Sequence, residues 1–187
     1  MQINIRMKKY LLLFVFALSI PPVVAQKTTI GPLKEVVQDV LRSSAEDFID
    51  IRGEQIGGDP GTIQFLSTKE VPGSLENKVI GYSGLKKTDW VWESKLATFE
   101  KIEDLQSLYK KIYNEIGRGS VKSNSKTYES VNSYDHPNER QRIWKNQFKA
   151  VESNMMIDLV AEEINYEWVI WLRIYNLENS SGGGSLF

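Results

Sequence analysis

The chain has 187 residues, with 23 basic and 24 acidic side chains, a formal net charge of −1 and no cysteine. A chain this close to neutrality lacks the basic footprint of a nucleic-acid-binding protein. The absence of cysteine excludes disulfide bonds, thiolate catalysis and cysteine-ligated metal sites. The length suits one domain with a single hydrophobic core.

The first 25 residues have the layout of a secretory signal peptide. Lys8 and Lys9 precede an apolar run over residues 11–20, which two prolines end, and Ala25 offers a cleavage site before Gln26. The run is shorter than the roughly 20 apolar residues of a membrane-spanning helix. We therefore predict cleavage after Ala25, a periplasmic or secreted protein, and no stable membrane insertion of the cleaved chain.

A first helix is predicted after Gly31-Pro32, because proline suits the first turn of a helix. Apolar side chains then recur every three or four residues, as on one helical face: Leu33, Val36, Val37, Val40, Leu41, Ala45 and Phe48. Gly53 stands where a left-handed helix cap is expected. The glycine-rich residues 57–61 predict a turn.

Three strands are predicted next, over residues 62–69, 77–83 and 89–99. β-Branched and aromatic residues dominate these runs, and glycine, proline or aspartate residues bound them. Trp90 and Trp92 share one face of the third strand, because a strand has a period of two residues.

The second helix is predicted from Ile102 to Ile116, where apolar residues keep the helical period through four turns. Its acidic beginning suits the helix dipole, and Gly117 ends it. The residues expected to face the sheet are Leu105, Leu108, Ile112 and Ile116. Residues 117–126 predict a flexible loop.

The last part of the chain predicts three or four more strands, over residues 127–134, 140–149, 155–163 and 167–175. The final two form a hairpin that turns near Asn165. Residues 177–187 are rich in glycine and serine and predict a flexible tail.

The final strand provides the candidate binding residues. One of its faces carries Trp168 with three aliphatic side chains, and the other carries Trp171 and Tyr175. The longer apolar row predicts the core side, so Trp171 and Tyr175 are candidates for an outward, partner-binding surface. Cross-strand packing is the alternative explanation for aromatic residues on a strand.

The order of elements predicts an α+β fold for a single domain over residues 26–176. Turns this short exclude parallel crossovers, so the sheet is expected to be mainly antiparallel, with two helices packed on one side of it. A helix precedes each group of about three strands, which predicts two pseudo-duplicated helix–three-strand units.

Apolar spacings in four segments carry a family resemblance. The segments are Phe48 through Ile51 to Gly53, residues 65–73, residues 90–99, and Glu103–Leu105 with Leu108 and Tyr109. On these spacings the chain resembles small exported bacterial α+β proteins of uncharacterised role, and its element order is similar to that of secretion-chaperone domains. The resemblance implies a fold and a compartment and carries over no functional residue.

Catalytic motifs are lacking. His136, the one histidine, lies in a polar turn, and a Ser-His-Asp hydrolase would have to use it. The nearest serine elbow, around Ser83, lacks the last glycine of G-x-S-x-G. One histidine without cysteine predicts no metal site, and no cofactor is expected.

Acidic residues occur in three groups: Glu46, Asp47 and Asp50; Glu100, Glu103 and Asp104; and Glu162, Glu163 and Glu167. A glycosidase could use two such carboxylates, but no spacing selects a pair. Solvated helix ends and turns explain all three groups without any chemistry.

These observations predict a non-catalytic binding protein of the bacterial cell envelope, whose partner is an envelope protein or a glycan. The alternatives are a carboxylate-based hydrolase and an inhibitor or immunity-type partner of a secreted protein. The missing catalytic motifs favour binding over hydrolysis, and the sequence does not separate a binding protein from an inhibitor.

Overall fold

The structure is a computed structural model that describes residues 29–84, 87–118 and 121–177. The predicted signal peptide and all but the first residue of the predicted tail lie outside these ranges. Within them, the chain forms an α+β fold that is mainly sheet, with two α-helices packed on one face of a large antiparallel sheet.

Helix α1 spans Lys34–Ser43 and helix α2 spans Ile102–Gly117. Two short 3₁₀ turns follow α1, at Ser44–Glu46 and Ile49–Ile51. The strands, in chain order, are β1 (Arg52–Gly57), β2 (Thr62–Ser67), β3 (Glu76–Ser83), β4 (Thr88–Phe99), β5 (Lys122–Ser123), β6 (Lys126–Thr127), β7 (Glu129–Ser130), β8 (Ile143–Lys149), β9 (Met155–Ile164) and β10 (Glu167–Asn176).

Eight strands form one sheet in the order β1-β2-β3-β4-β10-β9-β8-β7, and every neighbouring pair is antiparallel. Strands β5 and β6 form a separate hairpin. The predicted antiparallel sheet is confirmed. The topology does not show the predicted duplication of a helix and three strands.

The first helix ends earlier than its apolar pattern predicts. Asp47 and Phe48 adopt left-handed backbone angles, with φ of 54° and 63°, and break the helical path before Gly53. Gly53 lies in β1, and a Cβ added there would lie 3.1 Å from the carbonyl oxygen of Leu66 on β2. The prediction that Gly53 caps the helix is therefore wrong, because the glycine serves close strand pairing instead.

Helix α2 has its predicted bounds, but the set of residues that faces the sheet differs by one member. Leu105, Ile112 and Ile116 are buried, as predicted, whereas Leu108 is only partly buried. Tyr109 is wholly buried in its place. Its hydroxyl donates to the carbonyl oxygen of Leu159 at 2.9 Å, so the polar end of the ring is satisfied inside the core.

The core lies between the two helices and one face of the sheet. The predicted apolar row of β10 is on this side: Trp168, Ile170, Leu172 and Ile174 are all buried. Trp92 of β4 is also wholly buried, and its indole N–H donates to Ser67 Oγ at 3.0 Å. The two helices are joined as well, because the backbone N–H of Leu33 donates to Glu115 Oε1 at 2.7 Å.

The predicted hairpin turn near Asn165 is confirmed. Asn165 and Tyr166 have φ of 52° and 67° and form the two-residue connection between β9 and β10. Two consecutive left-handed residues match the right-handed twist of the flanking strands.

The two edges of the sheet are irregular or short. Strand β1 pairs with β2 through two register shifts between Arg52 and Gly57. Strand β7, at the other edge, has two residues. No helix within the described ranges is long and apolar enough to span a membrane.

Candidate functional site

The face of the sheet opposite the helices is called the second face here. It carries Val169, Trp171, Arg173 and Tyr175 of β10 and the residues paired with them on β9 and β4. No described helix packs on it. The face combines a few buried apolar side chains with a set of ion pairs, so it differs in chemistry from the core side.

Asp158 of β9 is the most deeply buried charged residue of the second face, with none of its surface exposed. Gln147 Nε2 donates to its Oδ1 at 3.0 Å, and the hydroxyl of Tyr175 donates to its Oδ2 at 3.1 Å. Lys145 Nζ lies 3.7 Å from Oδ2. Burial raises the pKa of Asp158, and its hydrogen bonds and nearby cations only partly offset that rise.

Arg173 forms the second buried charge of this face. Its Nε donates to Glu93 Oε2 on β4 at 2.6 Å, and its Nη2 lies 3.9 Å from Glu162 Oε2 on β9. The guanidinium therefore joins three neighbouring strands. These carboxylates already have a cationic partner, which makes them poor candidates for acid–base chemistry.

Tyr175 lies on the predicted face but is buried, in contrast to the outward position that the sequence predicts. It packs with Val91 and Met156 in a small apolar cluster, against which Tyr82 and Leu177 also pack. Burial, followed by the nearby carboxylate of Asp158, raises the pKa of the Tyr175 phenol well above its usual range. Its hydroxyl points inward, where it donates to Asp158 Oδ2.

Trp171 is on the same face and is partly exposed. Lys95 Nζ lies 5.8 Å from the centre of its ring and Arg173 Cζ lies 5.5 Å from it, within the range of cation–π attraction. Its indole nitrogen is buried and has no hydrogen-bond partner among the residues that the structure describes. A buried donor without an acceptor is costly, and this nitrogen is an unsatisfied polar atom of the second face, as is Asp89 Oδ1 on β4.

His136 is exposed, as predicted, in the loop between β7 and β8. Its Nδ1 lies 3.3 Å from the hydroxyl of Tyr134, and no described serine or carboxylate forms a hydrogen bond with its ring. Ser83, the serine of the incomplete elbow, lies at the end of β3. The structure therefore does not bring a catalytic triad together.

Two of the three acidic groups adjoin at one end of the sheet, because Phe99, next to Glu100, pairs with Trp168, next to Glu167. The third group follows helix α1. Asp50 accepts a hydrogen bond from the Ser43 hydroxyl, and Glu163 lies 3.6 Å from Arg142. Among the residues that the structure describes, no three histidine or acidic side chains are arranged to hold a metal ion. Asp158, which none of these groups includes, is the acid with the most unusual environment.

No family model matches the chain, and the curated proteins and solved structures compared with it contain no match. A function has to be inferred from the chemistry of the side chains themselves.

Proposed function

We propose that the chain is a non-catalytic binding protein of the bacterial cell envelope, and that it engages its partner through the second face around Trp171. The observation that carries the proposal is the partly exposed ring of this tryptophan, which has two cations within about 6 Å of its centre. Tryptophan and arginine dominate the binding energy of many protein interfaces, since both combine a large contact area with directional donors.

The surroundings of Trp171 favour binding over reaction. Arg173 is held by Glu93, so the ring and its neighbouring cation have a fixed geometry before any partner arrives. Such preorganisation lowers the entropic cost of association. An envelope protein or a glycan would cover the exposed part of the ring. Tyr175 contributes by holding Asp158 through a hydrogen bond, and it does not itself contact the partner.

The envelope location rests on the first 25 residues, which lie outside the described ranges. Their charged beginning, short apolar run and Ala25 are typical of an export signal. An inhibitor or immunity-type protein would use the same compartment and the same surface, and would differ only in having a secreted protein as its partner.

A carboxylate-based hydrolase is the second candidate. One observation favours it: burial raises the pKa of Asp158, as a general acid requires. However, Asp158 is wholly buried, and both of its oxygens accept hydrogen bonds from neighbouring side chains. A substrate would have to displace those bonds, so binding is the function that the geometry supports better.

Site-specific photo-crosslinking tests the proposal. A benzophenone amino acid replaces Lys95, beside Trp171, in cells that make the full chain, and replaces Ile56, exposed on β1, as a matched control. We expect a discrete crosslinked species from position 95 and none from position 56. The same species should disappear when Trp171→Ala is added and persist with His136→Ala.

Two results would count against the proposal. Equal crosslinking from positions 95 and 56 would show that the second face is not selective. Loss of the crosslinked species with His136→Ala, at an unchanged melting temperature, would favour the hydrolase. If Trp171→Ala unfolds the chain, Lys95→Glu serves in its place with the crosslinker at Glu76, because Glu76 pairs with Lys95 across β3 and β4.

A further inference from the structure

A polar cleft lies at one end of the sheet, away from Trp171. It is bounded by the end of helix α1, by the β5–β6 hairpin and by the adjoining ends of β9 and β10. Its volume is about 340 Å³. Because a water molecule occupies roughly 30 Å³ in the liquid, this is space for on the order of ten waters, or for one sugar ring with part of its hydration.

The walls of the cleft are mostly neutral hydroxyl and amide groups. Ser123, Tyr128 and Ser153 contribute hydroxyls, and Asn124 contributes an amide. One acid, Asp47, and two cations, Lys87 and Lys126, also line it. Leu41, Ala45 and Met155 add a smaller apolar surface.

Some of these groups are held in place by one another. The Tyr128 hydroxyl lies 3.1 Å from Ser153 Oγ, which in turn accepts from the backbone N–H of Met155 at 3.1 Å. Lys126 Nζ donates to the carbonyl oxygen of Glu152. These bonds fix the wall of the cleft without filling it, since an ammonium group has two further hydrogens to donate.

Other groups are available to a ligand. Within the described part of the chain, the side chains of Ser123 and Asn124 form no hydrogen bond, although Ser123 is largely buried. Asn124 is displayed by a two-residue turn in which it and Ser125 have φ of 50° and 64°. An amide and a hydroxyl both donate and accept, so this side of the cleft can pair with a ligand of either polarity.

We propose that this cleft binds a neutral saccharide, with the amide of Asn124 and the hydroxyl of Ser123 paired to its hydroxyl groups. A simple anion would meet Asp47, and a simple cation would meet Lys87 and Lys126, so neither ion matches the whole cleft. A sugar ring presents hydroxyls that donate and accept at its rim and C–H groups on its faces, which suits polar walls beside Leu41 and Met155. The cleft shares no residue with the second face, so this inference does not depend on the proposed function.

Nuclear magnetic resonance titration of the full, ¹⁵N-labelled chain tests the inference. The probes are glucose and N-acetylglucosamine as neutral sugars, with sodium acetate as a small anion and glycine as a small zwitterion. We expect the sugars alone to shift the side-chain amide resonance of Asn124 and the backbone amides of residues 122–127, with saturation at a roughly millimolar dissociation constant.

Asn124→Gly is the decisive variant, because glycine keeps the left-handed turn and removes only the amide. We expect it to weaken sugar binding about fivefold or more, as loss of one hydrogen bond implies. Asn165→Gly is a matched control, since Asn165 also begins a two-residue left-handed turn but lies outside the cleft. It should leave the affinity unchanged.

Three outcomes would overturn the inference. The first is the absence of saturable shifts in residues 122–127 with either sugar. The second is an equal response to acetate or glycine, which would make the cleft a site for charged groups rather than for sugar hydroxyls. The third is undiminished sugar binding by Asn124→Gly, which would place the ligand elsewhere.

Discussion

Tyr175 donates a hydrogen bond to Asp158 diagonally across two paired strands, at 3.1 Å. The register partner of Asp158 on β10 is Arg173, and Tyr175 is paired with Met156. Diagonal neighbours are within reach of long aromatic side chains in an antiparallel sheet. Asp158 is thereby surrounded by donors, yet burial outweighs them and raises its pKa.

The raised pKa of Asp158 predicts a specific pH dependence of stability. A folded-state pKa above the unfolded value means that the folded chain holds this proton more tightly, so the carboxyl favours folding at low pH and less so as the pH rises through its folded pKa. Each pKa unit corresponds to about 1.4 kcal/mol. The unfolding free energy of Asp158→Asn minus that of the native chain should therefore increase as the pH rises from acidic to neutral.

Urea unfolding of both proteins across a pH series measures this difference, and subtraction removes the titration of the other acids. A difference that stays constant with pH would show that Asp158 titrates alike in the folded and unfolded chains. A difference that falls as the pH rises would mean that Lys145 and Arg173 dominate over burial.

The hydroxyl of Tyr109 is predicted to stabilise the core. It donates to the Leu159 carbonyl at 2.9 Å and accepts from Asn146 Nδ2 at 2.9 Å. Tyr109→Phe leaves both partners buried without it, so we expect a loss of about 1–3 kcal/mol in unfolding free energy. Tyr113→Phe is the control, because the Tyr113 ring packs on Tyr134 and Phe148 and its hydroxyl forms no hydrogen bond with any described residue. Similar losses in both variants would contradict the assignment.

Leu105 and Leu108 provide a second matched pair. Leu105 is wholly buried and Leu108 only partly so, although they are one turn apart on helix α2. Leu105→Ala should cost about 2–5 kcal/mol, the range for truncation of a core leucine. Leu108→Ala should cost clearly less, as judged by urea unfolding. Equal costs would restore Leu108 to the core face that the sequence predicted.

Cleavage after Ala25 is predicted from the sequence alone, because the first 25 residues lie outside the described ranges. The apolar run of residues 11–20 is too short to span a membrane, so export should end in removal of the segment. Intact mass spectrometry of the protein recovered from the periplasm or medium should give a chain that begins at Gln26. Recovery of the uncleaved chain from the membrane fraction would refute this.

The sequence predicted best where one local pattern decides the structure. Helix α2 and the turn at Asn165 depend on helical period and on turn chemistry, both of which are local. Strand β1 was missed because Gly53 resembles a helix cap, and only Leu66 on a neighbouring strand explains the glycine. The first helical region ends at Asp47 and Phe48, which have left-handed backbone angles. Neither is a glycine, so the sequence does not indicate the break.

Asp158 could not be identified as unusual from the sequence. An acid that alternates with apolar residues on a strand is typical of a solvated face, and the sequence contains nothing to contradict that. Its partners Gln147 and Tyr175 come from other strands, and only the register of β8, β9 and β10 brings them together. Hydrogen-bond partners from different strands are set by the sheet topology and cannot be identified from the local sequence. The alternation on β10 did place Trp171 opposite Trp168 correctly.

The irregular and short edge strands of the large sheet affect how readily copies of this chain aggregate at high concentration. A long, regular outer strand is a template for recruiting further chains into fibrils. Here β1 interrupts its own ladder twice and β7 offers only two residues. Such interruptions bend and twist an edge strand, so that it pairs poorly with a flat strand of another chain. We therefore expect folded copies of the chain to resist edge-to-edge pairing of their sheets. Fibril formation should require the sheet to open first.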